Sequence, residues 1–218
     1  MIDGVGCPRH AGKSCAAMGM SYGCGPMGEM SGLRLLCCAS ALPLAVSRGE
    51  LPGGADVLAT GFDLQKAAAY LPATSRLTLH YAPDVAAPDV DGPFLCSQNA
   101  LRDRDYGLWA GRNLRDVGPE EQLSFLSDVA FAPPGGESFA ASYQRMAHWL
   151  DVLEQTVPAA LVLARPACVR NLILRVLYPG ENPVSMAHAA RVDVLSNSYS
   201  LLSCHAGRWR VAMLSAPM

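Results

Sequence analysis

Ala160-Leu161-Val162-Leu163-Ala164-Arg165-Pro166-Ala167-Cys168-Val169-Arg170 is the stretch on which the fold turns. Its opening apolar run has the length of a strand buried on both faces. The segment from about Ala167 to Tyr178 follows directly and reads as a helix, stopped by Pro179-Gly180. A strand that runs straight into a helix is the unit of an α/β layer fold.

The same alternation extends outward in both directions. Leu33 to Cys38, Leu77 to His80 and Ala159 to Ala164 read as short buried strands, and Asp63 to Leu71 as a helix. Phe139, Tyr143, Met146, Leu150 and Leu153 recur at helical spacing, which predicts a long helix from about Phe139 to Thr156, capped by Ser138 and ended by Pro158. Tyr199 to Cys204 and Trp209 to Leu214, joined by His205-Ala206-Gly207-Arg208, read as a terminal hairpin. The expected class is α/β with a mostly parallel central sheet.

A chain of 218 residues, half of them hydrophobic and 17% charged, has ample apolar surface for one core and is not a disordered sequence. Seventeen basic against nineteen acidic residues leave a formal charge of −2, so no global field attracts nucleic acid or anionic lipid. The longest apolar stretch, Leu33 to Val46, is broken by Arg34, Ser40 and Pro43 and falls short of the roughly 20 residues a membrane-spanning helix needs. The first thirty residues lack the apolar core of a secretory signal. A cytoplasmic protein is therefore expected, with its eight cysteines reduced.

Residues 1–32 differ in composition, with Gly, Met, Cys and Ser dominating and no periodicity, and read as a flexible tail or an upstream start ahead of Met30. Cys7, His10, Cys15 and Cys24 are soft-metal ligand types whose spacing matches no compact site. Residues 33–218 form the expected domain, with no metal or other cofactor.

Three further stretches carry a resemblance. Leu101-Arg102-Asp103-Arg104-Asp105-Tyr106-Gly107-Leu108-Trp109-Ala110-Gly111-Arg112 places an acid ahead of a Tyr-Gly-x-Trp-x-Gly run. Pro133-Pro134-Gly135-Gly136-Glu137-Ser138 opens the long helix that carries Arg145, and Arg191-Val192-Asp193 leads toward the closing Gly207-Arg208-Trp209. In this order, with the 160–170 stretch between, they resemble the histidine phosphatase superfamily, the phosphoglycerate mutase-like fold, over about Leu33 to Leu214.

The resemblance implies a three-layer α/β domain with its site at the C-terminal ends of the parallel strands, phosphoryl transfer through a phosphohistidine, and a homodimer. Such a site needs an Arg-His pair after strand one, an arginine after strand two, a second histidine after the later strand, and an acid. Read in that register, Cys37 and Cys38 replace the first pair, no arginine occurs between Arg76 and Arg102, and Arg165 replaces the second histidine. The acid remains, as Asp103.

The leading expectation is thus a catalytically degenerate member that binds an anionic, phosphate-bearing small molecule or a protein partner, with Arg165, Arg170 and His80 as ligand-binding residues. The alternative is an active phosphomonoesterase or mutase-like enzyme with a rebuilt site: Cys38 or His80 as nucleophile, Arg165 as clamp, Asp103 as proton donor. A third reading is an oligomeric scaffold or interaction protein.

Overall fold

The computed structural model describes residues 32–53, 62–72, 77–90, 93–153 and 158–218. The first half runs β1 (Leu33–Ala39), α1 (Leu44–Ser47), α2 (Leu64–Ala68), β2 (Thr78–Tyr81), β3 (Phe94–Ser97) and α3 (Pro119–Ser127). The second runs α4 (Phe139–Leu153), β4 (Ala159–Ala164), α5 (Pro166–Leu177), α6 (Met186–Ala189), β5 (Ser198–His205) and β6 (Arg208–Pro217). The expected tail lies outside the described residues except for Gly32, and so does the 154–156 end expected for α4.

One six-stranded sheet holds the strands in the order β3-β2-β4-β1-β5-β6. β3, β2, β4 and β1 are parallel, and β5 and β6 continue the sheet antiparallel. β4 is buried along its whole length and β1 everywhere but Arg34. Both faces of the sheet centre are therefore covered, which is why these strands read as unbroken apolar runs rather than alternating ones. This is the three-layer α/β fold expected, with a mostly parallel sheet.

Local signals set the helix starts. Pro166 occupies the first turn of α5, where its missing N–H leaves no gap in the helical ladder. Ser138 Oγ accepts from Ala141 N at 3.1 Å, and Asp63 Oδ1 accepts from Gln65 N at 2.9 Å, capping α4 and α2. The β5–β6 turn places Ala206 (φ 49°) and Gly207 (φ 73°) in the left-handed region, the geometry of a tight two-residue hairpin.

β3 and α3 carry little sequence signal. β3 is an edge strand with Phe94 69% exposed, so it lacks a buried face to read. α3 has no buried residue and hence no apolar stripe; Gly118-Pro119-Glu120 is its one local start signal. Among the described residues no helix is long and apolar enough to cross a membrane.

Candidate active site

The C-terminal ends of three neighbouring parallel strands, β2, β4 and β1, open onto one edge of the sheet, the usual place for a site in such folds. β4 is followed directly by Arg165, which lies at the N-cap of α5 and is only 2% exposed. The turn after β2 supplies Asp84, and the loop beyond β3 supplies Asp103. Arg165 Nε lies 2.9 Å from Asp84 Oδ2, and Arg165 Nη1 lies 3.2 Å from Asp103 Oδ2. Asp103 N in turn donates to Asp84 Oδ2 at 3.1 Å, so one guanidinium and two carboxylates form a single, largely buried cluster.

Burial pushes the Asp103 carboxyl above its ordinary range, against the pull of Arg165 and of the Arg104 N–H that donates to Asp103 Oδ1 at 2.8 Å. Asp84 adds to the upward push. The cluster is thus a desolvated ion pair with a second carboxylate beside it, and it borders a cavity of about 180 Å³ that Arg102 and Arg104 also line.

The surrounding motifs act as framework. Arg145 grips Glu137 through Nη2 at 2.8 Å and donates from Nη1 to Ala100 O at 2.6 Å, tying the start of α4 to the loop that carries Asp103. Arg104 donates to Glu137 O at 2.7 Å and to Phe131 O at 2.9 Å, and its guanidinium stacks 4.6 Å from the Phe125 ring centre. Trp109 is buried between Phe125 and Phe131, at ring distances of 5.6 and 5.7 Å. Gly107 (φ 53°) and Gly136 pack backbone on backbone: a Cβ on Gly107 would strike Pro134 O, and one on Gly136 would come within 2.6 Å of Asp105 O.

The residues singled out in the sequence separate on this frame. Asp103 and Arg165 meet directly. Cys38 does not join them: it pairs with Leu163 and Tyr199 inside the sheet, is fully buried, and burial raises its thiol well above the ordinary range. Cys37 is likewise enclosed and is pushed up to about 12. Ala39 lies opposite Ala164, so the residue abreast of Arg165 is Ser40, whose Oγ donates to Ala41 O at 2.9 Å.

His80 is also apart from the cluster. It sits within β2, 8% exposed, with its ring edge-on to Trp149 at 5.3 Å and neither ring nitrogen hydrogen-bonded. Burial lowers it to about 4, so it is a neutral core imidazole at pH 7. Arg170 lies one turn into α5 and borders a separate cavity with Asp103. Asp84 is absent from the sequence reading, which noted after the second strand only that no arginine occurs between Arg76 and Arg102.

Such an arrangement fixes three chain segments together. Among the described residues the cluster holds no imidazole, and Arg165 Nε and Nη1 face carboxylates.

Comparison with known proteins bears on family and fold. The family model for the histidine phosphatase superfamily, branch 1, matches residues 95–217. Among curated proteins none matches. Solved structures share the fold: mycobacterial hydrolase 1 at 18% identity and TM-score 0.66, covering 86% of this chain and 100% of that one. The α-ribazole phosphatase from Shigella flexneri follows at 17% identity and TM-score 0.63, covering 85% and 98%. Mycobacterial glucosyl-3-phosphoglycerate phosphatase gives 20% identity and TM-score 0.61, covering 85% and 99%. With the α/β architecture, the Tyr-Gly-x-Trp-x-Gly loop and the Gly-Glu-Ser turn all in family order, the chain belongs to the histidine phosphatase superfamily, branch 1.

Proposed function

We propose that this chain is a catalytically degenerate histidine phosphatase-like protein that keeps the fold and acts by binding a small anionic molecule. One observation carries the reading: Arg165, at the position of the second family histidine, is buried with its Nε and Nη1 against Asp84 and Asp103. A phosphate entering there would have to displace two carboxylates from a desolvated guanidinium. The cation left for an anion is Arg170 rather than Arg165, and His80 has no part in it.

The test is turnover of p-nitrophenyl phosphate by the purified protein between pH 5 and 8, with acid-quench trapping of any phosphoprotein. Background hydrolysis and no trapped species are expected. Metal-independent turnover lost in Asp103→Ala would overturn the reading in favour of a rebuilt phosphomonoesterase. That second reading draws on the retained Asp103, whose raised carboxyl suits a proton donor.

A further inference from the structure

A cavity of about 320 Å³ that Asp103 borders and Arg165 does not is lined by residues of α3, α4, α5 and α6. Its volume is that of a site for a small organic molecule. Its wall is mostly apolar, with Phe125, Phe139 and Met186 contributing the large surfaces. Most of its polar groups are already engaged. Arg104 holds the Glu137 and Phe131 carbonyls, Ser142 Oγ accepts from Arg145, and Asp103 is paired with Arg165.

Two neighbours on α5 are different. Arg170 Nε and Asn171 Oδ1 are both buried without a hydrogen-bond partner, and both residues line the cavity. Asn171 is only 5% exposed. An orphaned donor on a cation and an orphaned acceptor beside it cost free energy in the empty state, and a ligand that satisfies both recovers it.

Their chemistry selects the ligand. The guanidinium offers N–H to an anionic oxygen, while the amide oxygen requires an O–H or N–H from the same molecule. With Asp103 and Arg104 engaged elsewhere, a single cation remains, which suits a monoanion better than a phosphate dianion. The aromatic wall asks for an apolar body.

We infer that this cavity is a binding site for a small aromatic or branched apolar carboxylate bearing a hydroxyl or amide N–H next to its carboxylate, held by Arg170 and Asn171. The inference rests on the binding-protein reading above but names a different pocket from the Arg165 cluster.

The probe is 3-phenyllactate, with 3-phenylpropionate lacking the hydroxyl and inorganic phosphate as comparisons. Binding to the full chain is followed by calorimetry and by the methyl resonance of Met186, with Met213 on β6 as a remote control. Saturable 1:1 binding of phenyllactate that shifts Met186 is expected, weakened at least tenfold in Arg170→Gln and in Asn171→Leu and by a smaller factor for phenylpropionate. Ala190→Phe, at an exposed residue on the cavity rim, blocks entry without touching the core and serves if either α5 variant fails to fold. No binding, binding indifferent to these substitutions, or displacement by millimolar phosphate overturns the proposal. Failure here leaves the aryl-phosphate result untouched, so the two readings fall separately.

Discussion

The Nε of Arg165 lies 2.9 Å from Asp84 Oδ2, joining the end of β4 to the turn after β2 in a setting where both side chains are almost entirely removed from water. Such a pair is held by mutual compensation: neither charge is tolerable there alone. Arg165→Met, which keeps the volume and removes the charge, leaves Asp84 and Asp103 facing each other unneutralised. A loss of about 3–5 kcal/mol in urea unfolding is expected. Adding Asp84→Asn and Asp103→Asn to the same chain removes the stranded charge and restores most of the loss. Strictly additive destabilisation across the three substitutions would show that the charges do not interact as described.

Legibility followed burial and local geometry. β4 and β1 were readable because strands covered on both faces must be continuously apolar, and α5 because Pro179-Gly180 ends it. β3 and α3 had no comparable signal, since neither buries a full face. Within the site, Asp103 and Arg165 were found through the loop and strand that carry them. Asp84 was not, because its meaning depends on which strand ends lie side by side, and strand order is a property of the sheet rather than of any one segment. Reading Cys38 as the strand tip stopped one residue early: β1 continues through Ala39, and the thiols stay within the core.

Those thiols provide the second prediction. Cys37 and Cys38 are fully enclosed and burial raises both, so neither offers a thiolate at neutral pH. Iodoacetamide at pH 8, followed by peptide mapping, is expected to leave both unmodified in the native protein and to label both in 6 M guanidinium chloride. Rapid native labelling of Cys38 would place it at an accessible site and revive its candidacy as a nucleophile.

A third prediction concerns the contact between two loops. Gly107 has φ 53°, and a Cβ there would meet Pro134 O and Gly136 N of the turn that begins α4. Gly107→Ala therefore suffers twice, from the left-handed backbone and from the collision. A loss of about 2–3 kcal/mol is expected from thermal unfolding, since strain and overpacking each contribute on the order of 1–2 kcal/mol. Gly111→Ala is the control: it also has a positive φ, of 76°, but open space around the added atom, so it loses the backbone term alone. Equal losses at the two positions would mean that the loop and the turn are not in contact.

The last prediction follows from His80. Burial lowers it from 6.5 to about 4, so the folded protein keeps this imidazole neutral over a range in which the unfolded chain protonates it. Above pH 6.5 both states carry the neutral ring and no pH-dependent term arises. As pH falls from 6.5 toward 4 the unfolded state gains a proton that the folded state refuses, and stability drops by up to about 3 kcal/mol before levelling off. Other groups titrate in the same range, so the measurement is a difference between the native protein and His80→Phe, which keeps a ring against Trp149. The variant is expected to lose less stability than the native protein between pH 6.5 and 4, with unfolding followed in urea at half-unit steps. Parallel curves would mean that His80 is protonated in the fold, and a charged imidazole at this place would require an acceptor that the described residues do not supply.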